Sequence, residues 1–448
     1  MRLSLRAWIQ TLCLLLFMAL VFLAGAAITG PLPPDLWLRL DPLVSVLTPL
    51  TARSWVPALW GGLAILALTL VLGRFFCGYM CPLGTTFDLA RRCLPARRPD
   101  ANLPAAAHWD KRRRWKYGLL AAIAVAGVFA VPALYWAAPI PWATRIYALL
   151  LYPFLLLGTV VGLQLAAPLD NILGDLTYFF PTVPQYALQP ALAVGALALV
   201  GSVLLAPRFW CRYLCPSGAL MALLGRRPLL RRRVSADCVQ CGVCARACPM
   251  GAIDEDAVQT RHQECITCQT CVRSCPQGAI SFNSDAGPVG KLPPVERAAR
   301  RFLLTSGLTG AGYAALNLTH LGNLYGRPGP GQVVPSRLLR PPGAVPEADF
   351  MARCLRCGLC LQVCPTNALQ PLGLAAGLGG LYTPRVLPRR GACEPQCAAC
   401  GEICPTDALR PLPLVEKQWA KIGTARIIPQ RCLAWAQGKA CLVCDEVC

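Results

Sequence analysis

Cysteine spacing constrains this chain more than any other feature. Twenty of its 26 cysteines fall into five tight groups of four, mostly with gaps of two or three residues. Disulfides are strained across loops that short, whereas a metal cluster held by four thiolates fits them. Such thiols must stay reduced until metal arrives, so loading belongs to the cytoplasm, whichever side the domain later occupies.

The first two groups, Cys238, Cys241, Cys244, Cys248-Pro249 and Cys265, Cys268, Cys271, Cys275-Pro276, repeat the run Cys-x-x-Cys-x-x-Cys-x-x-x-Cys-Pro. In that run three close cysteines wrap one [4Fe-4S] cubane, and the fourth, carried away by the Pro turn, ligates the other. The exchange predicts one set of Cys238, Cys241, Cys244 and Cys275 and another of Cys265, Cys268, Cys271 and Cys248. A second pair repeats the scheme, with Cys354, Cys357, Cys360 joined by Cys404, and Cys393, Cys397, Cys400 joined by Cys364; its Cys393 gap is one residue longer. The tails Met250-Gly251-Ala252-Ile253, Gln277-Gly278-Ala279-Ile280, Thr366-Asn367-Ala368-Leu369 and Thr406-Asp407-Ala408-Leu409 supply small and apolar residues that admit close backbone approach and exclude water. Zinc is the competing ligand for Cys-x-x-Cys pairs. Four cysteines per motif with a trailing Pro, twice over, weigh against it. The fifth group, Cys432, Cys441, Cys444 and Cys448, has a wide first gap and ends on the last residue, so the sequence is expected to be truncated there.

Apolar runs fill the first 210 residues, while most cysteines lie after them. Trp8 to Ile28 is long enough to span a bilayer, with the basic flank Met1 to Arg6 on its cytoplasmic side. Further apolar segments run from Val56 to Leu72, Tyr117 to Ala137, Ile146 to Ala166 and Gln189 to Ala206. Five crossings would put the Arg226 to Arg233 cluster outside, against the charge rule, so one segment is expected not to cross, and Ile146 to Ala166 is chosen. Two segments lead into the same motif, Phe76-Cys77-Gly78-Tyr79-Met80-Cys81-Pro82 and Trp210-Cys211-Arg212-Tyr213-Leu214-Cys215-Pro216. Cys77, Cys81, Cys211 and Cys215 then stand at the cytoplasmic edge, either as cluster ligands or as redox thiols. Cys13 reads as a small hydrophobe and Cys93 as a loop thiol, and neither is given a role.

The formal charge of +21 comes largely from Arg runs beside apolar segments, and no nucleic-acid motif accompanies them. Bound clusters would subtract roughly 2 charges each in the oxidised form. None of the three histidines, His108, His262 and His320, lies in a proposed span, which leaves no paired imidazoles for a membrane haem. No flavin or nucleotide signature is present. Arg300-Arg301-Phe302-Leu303-Leu304 opens a further apolar stretch, a pattern also used to export folded, cofactor-loaded proteins, and would carry the second pair of cluster motifs across the membrane.

Up to about residue 285, the two Cys-x-x-x-Cys-Pro motifs and the first pair of cluster motifs resemble the NapH-type membrane ferredoxin of periplasmic nitrate reduction, related to NosR-like proteins. From about Arg300 the chain resembles the NapG/MauM-type polyferredoxins, so the whole resembles a fusion of the two. The twin-Arg segment departs from that family's pattern by lacking the usual residue between Arg301 and Phe302. The resemblance implies oxidation of the membrane quinol pool and delivery of electrons to a partner such as a periplasmic reductase or cytochrome. Related membrane ferredoxins instead support assembly or maturation of metal and quinone-cofactor enzymes.

The expected architecture is an α-helical transmembrane domain (1–225), an α+β bacterial-ferredoxin module for two [4Fe-4S] clusters (226–285), a twin-Arg segment and linker (286–345), and a second such module (346–448). It sits in the cytoplasmic membrane with membrane lipid around it, the first module in the cytoplasm and the second in the periplasm. Iron and sulfide analysis of anaerobically purified protein checks the cofactor: about sixteen irons per chain for four complete motifs is expected, and zinc in their place would exclude it.

Overall fold

In a computed structural model, the described residues are 5–25, 31–94, 112–131, 137–166, 183–254, 256–284, 297–318, 338–374 and 377–441. Helix α1, Leu5–Gly25, is 21 residues of nearly unbroken apolar sequence. At 1.5 Å per residue it extends about 31 Å. Its Phe17 packs edge-on against Trp37 and Tyr147, with ring centroids 5.8 and 5.3 Å apart. Helices α2 (Pro42–Ala52), α3 (Trp60–Leu72) and α4 (Gln189–Gly201) complete the apolar bundle, together with the helical segments over 139–166 and Arg114–Val128.

The segment expected not to cross is one of the longest helices. It begins at Pro139, whose missing N–H costs nothing in a first turn, and passes through a π turn at Tyr147–Leu151 before continuing to Ala166. That π turn includes Leu149, whose carbonyl Pro153 cannot bond, so the proline is absorbed without breaking the helix. Length and apolarity therefore do not set Ile146 to Ala166 apart from the other apolar segments. Among the described residues two helices, Leu5–Gly25 and Pro139–Gly162, are long and apolar enough to cross a membrane, whereas Pro57–Leu72 and Gln189–Leu204 are shorter. The expected span from Tyr117 forms a helix over Arg114–Val128, and residues 132–136 at its end lie outside the described set.

Each cysteine-rich module is built on a two-stranded antiparallel sheet with short helices. Strands Arg231–Val234 and Ile280–Asn283 pair in the first, with Arg232 opposite Phe282. In the second, Leu369–Pro371 pairs with Pro384–Val386. Residues 338–345, assigned to the linker from sequence, belong to the second module. The Val386 amide donates to the Leu339 carbonyl, Arg340 binds Glu347 at 2.6 Å, and Ala344 bridges to Leu409.

The modules dock at opposite ends of the bundle. At the start of α1, Arg6 donates to the Gly78 carbonyl at 3.3 Å and to Thr270 Oγ1 of the first module at 3.4 Å. Near its end, the Val21 carbonyl accepts from Gln362 Nε2 of the second module at 2.9 Å, and Thr51 Oγ1 at the end of α2 donates to the Ala352 carbonyl at 3.0 Å. From Arg6 to Val21 is about 22 Å of helix axis. The twin-Arg segment forms a helix, Arg297–Leu318, laid parallel to Arg114–Val128: Phe302 covers Gly118, Gly310 meets Ala122, and Ala314 packs with Ala126. A Cβ on Gly310 would stand 2.3 Å from the Ala122 carbonyl oxygen, so the backbones approach as closely as glycine allows.

Candidate iron–sulfur sites

The cysteine loops share a backbone device. On either side of the middle cysteine, Gln240 and Gly242, Thr267 and Gln269, and Arg356 and Gly358 all take positive φ, between 51° and 86°. Alternation of this kind coils the loop and turns successive N–H groups toward one point, forming a nest for an anion. After each Cys-Pro, the residue three beyond the cysteine is again left-handed: Gly251, Gly278, Asn367 and Asp407. These residue types tolerate that region best. Between Cys393 and Cys400, where the first gap is longer, no residue has positive φ.

Two of the four exchanged sets surround cavities. Cys248, Cys265, Cys268 and Cys271 line one, together with Ile253, Ile266 and Phe282. Cys354, Cys357, Cys360 and Cys404 line the other. In a third set, Cys400 faces Cys393, Cys397 and Cys364. In the fourth, Cys244 and Cys275 pack in one small core, while Cys238 is half-exposed and Cys241 exposed on the preceding loop. All described cysteines are free thiols. Among the described residues no group of three or more His, Cys, Asp or Glu converges as one ion needs. Thiolates on a single zinc lie ~2.3 Å from a shared centre, whereas two of the four sets ring a cavity, as a cubane requires. Backbone N–H groups already point at sulfur, from Ala252 to Cys248 and from Thr267 to Cys265, both at 3.4 Å. Burial pushes the thiols of Cys265, Cys357 and Cys400 up to about 12, so they remain neutral until metal displaces the protons.

The duplicated Cys-x-x-x-Cys-Pro motif forms a fifth meeting point. Cys77 lies in a short helix, Phe75–Tyr79, and Cys81 caps the helix Pro82–Cys93; Cys211 and Cys215 repeat this in Phe209–Tyr213 and Pro216–Leu224. Cys81 faces Cys77 and Cys211, and Cys215 faces all three others. Three residues before the first cysteine of each motif stands a buried arginine, Arg74 and Arg208, at 0% and 2% exposure. Arg208 forks onto Asp88 at 2.8 and 2.7 Å and donates to the Cys77 carbonyl at 2.7 Å. Arg74 donates to Glu264 at 3.0 Å, and its Nε and Nη2 have no partner. That Nη2 and Cys215 Sγ lie 2.5 and 3.5 Å from the point a Cβ on Gly218 would occupy. Two buried guanidiniums, that of Arg74 with donors to spare, beside four thiols fit an anionic cluster. Sequence reading passed over them, although Arg-x-x-Cys is part of the repeat.

The quartet abuts the first module. A Cβ on Gly78 would stand 2.3 Å from the Ile266 carbonyl oxygen, Tyr79 donates to the Thr267 carbonyl at 2.9 Å, and Arg212 donates to the Pro249 carbonyl at 2.9 Å. Glu264, next to Cys265, is held by Lys116 at 2.6 Å, Tyr117 at 3.1 Å and Arg74. Burial raises its carboxyl pKa, but Lys116 and Arg74 outweigh that and hold it at about 2.

Cys432 and Cys441 are half-buried, and Cys444 and Cys448 lie outside the described residues, as do His108 and His320. Cys13 is half-buried within α1, and Cys93 is exposed at its helix end. His262 sits in a single turn, His262–Glu264.

Comparison with known proteins agrees with this geometry. A 4Fe-4S binding domain family matches residues 55–100 and 188–236, which contain the quartet. A 4Fe-4S dicluster domain matches 237–280, and a 4Fe-4S binding domain matches 350–370. This chain therefore carries 4Fe-4S domains of the ferredoxin type. It is 36% identical over 155 residues to the methylamine utilization ferredoxin-type protein MauM of Methylorubrum extorquens, covering 34% of this chain and 66% of the relative. The ferredoxin-type protein NapG of Escherichia coli is 34% identical over 110 residues, covering 25% and 47%. The putative electron transport protein YccM of Escherichia coli is 28% identical over 211 residues, covering 45% and 48%. The chain thus spans about half to two thirds of the length of these curated relatives. No solved structure matches.

Replacing Glu264 with Gln removes the charge that compensates Lys116 and Arg74. Breaking a buried pair of this kind costs ~3–5 kcal/mol. The expected outcome is a lower denaturation midpoint and lost cluster absorbance, measured by thermal melts of the purified variant, while Glu347→Gln, at a more accessible pair, has the smaller effect.

Proposed function

We propose that this ferredoxin-type protein takes electrons from membrane quinol beside the Cys77, Cys81, Cys211 and Cys215 quartet and delivers them, through both modules, to an oxidoreductase outside the cytoplasm. Clusters held by these thiolates would supply one-electron carriers, as oxidation of a two-electron donor requires. The observation that carries the reading is the placement of the modules: one binds the first turn of α1, the other its last, with the quartet packed under the first.

The residues suit those tasks. Arg74 and Arg208 hold compensating positive charge at the quartet, and Asp88 and Glu264 fix their orientation. Gly78 lets the quartet loop lie directly on the Cys265–Cys268 loop. Ile266, Met250 and Phe282 keep water from the adjoining thiolates. The basic N-terminal flank supports a cytoplasmic first module. The parallel pairing of Arg297–Leu318 with Arg114–Val128 supports a chain that leaves the first module and emerges on the other side to build the second.

Addition of a quinol analogue to the anaerobic, oxidised protein, followed by EPR, tests the donor. Appearance of reduced-cluster signals is expected, and they should be lost when Cys77 and Cys211 are both replaced by Ser. Signals that never respond to quinol, though dithionite elicits them, would instead favour reducing power supplied for enzyme assembly. Sidedness is checked with trypsin on sealed vesicles: cleavage after the exposed Arg246 is expected only in inverted vesicles, and after the exposed Arg389 and Arg390 only in right-side-out ones.

A further inference from the structure

The arginine run that opens the first module contains one member unlike the rest. Successive strand residues face opposite ways, so Arg232 turns into the module, 4% exposed, between the part-exposed Arg231 and Arg233. Its Nη2 donates to Cys244 Sγ at 3.4 Å and to the Ala257 carbonyl at 2.8 Å, and its Nη1 to Thr260 Oγ1 at 2.8 Å and the Val258 carbonyl at 3.2 Å. The same side chain lines the cavity of Cys248, Cys265, Cys268 and Cys271, and its charge acts on Cys271 there. One guanidinium therefore reaches a cysteine of each exchanged set. Among the described residues no carboxylate pairs with it, so its charge is directed at the thiolates.

We propose that Arg232 tunes both clusters of the first module together: its buried charge, with the N–H···S bond to Cys244, favours the reduced, more negative form of each and raises both potentials. Net charge and hydrogen bonds to sulfur are the principal means by which a protein sets such potentials, and a charge in a low-dielectric interior is weakly screened. The inference rests on the ferredoxin reading of this module and is independent of the donor. Each reduction takes one electron from the mediator and breaks no bond.

The test is an EPR-monitored redox titration of the full chain, poised with dithionite and mediators, with iron content measured alongside. In Arg232→Met and Arg232→Gln, two clusters should become at least tenfold harder to reduce at fixed ambient potential, a drop of about 59 mV for a one-electron couple. The remaining clusters should titrate as in the wild type, and Arg232→Lys, which keeps the charge, should lie closer to wild type than either. Unchanged potentials at full iron content would overturn the proposal, as would a drop confined to one cluster. Loss of iron from both neutral variants would overturn it too, by making Arg232 a packing residue. Wild-type protein without iron would instead refute the ferredoxin reading itself.

Discussion

Negative charge in an apolar setting is the constraint around which the rest of this structure is arranged. Thiolate sets that carry iron and sulfide are anionic, and an uncompensated charge away from water is costly. Among the described residues the largest fully buried side chains are arginines: Arg74, Arg145, Arg208 and Arg356. Arg74 and Arg208 serve the quartet. Arg145 and Arg356 lie beside Cys354 and Cys357, with Arg145 Nε on the Arg356 carbonyl at 2.9 Å and its guanidinium over the Tyr382 ring. The backbone nests supply the remaining positive potential without any side chain.

Those cations also join the parts. Arg74 links the quartet to Glu264, and Arg113 and Arg212 grip the Pro249–Gly251 turn of the first module. The interface between bundle and module is therefore held mainly by cationic donors on carbonyls and carboxylates. Breaking one of these contacts strands a buried group, so each matters more than its count suggests.

The exchange of fourth cysteines is read from spacing, since a Pro directly after the cysteine turns the chain away from its own loop, and two of the exchanged sets line cavities. The left-handed tails were half legible, since Gly251 and Gly278 announce themselves and Asn367 and Asp407 do so less plainly. The arginines were not legible. A run such as Arg231 to Arg233 reads as a solvated flank, and only strand pairing with residues 280–283 turns Arg232 inward. Arg74 and Glu264 are 190 residues apart, so no local pattern could pair them. The continuity of the helix through Ile146 to Ala166 was not legible for a different reason: Pro153 suggests a break, and the π turn that accommodates it has no sequence signature of its own.

The grip on the first turn of α1 has a consequence for how the protein is made. Arg6 meets Gly78 and Asp88 within the bundle, and its bond to Thr270 joins a residue 264 positions away. Helix α1 can therefore be seated on the bundle before the cysteine loops fold, and the bond to Thr270 is added once they have. A module short of iron or sulfide would then leave this turn of α1 held by the bundle alone.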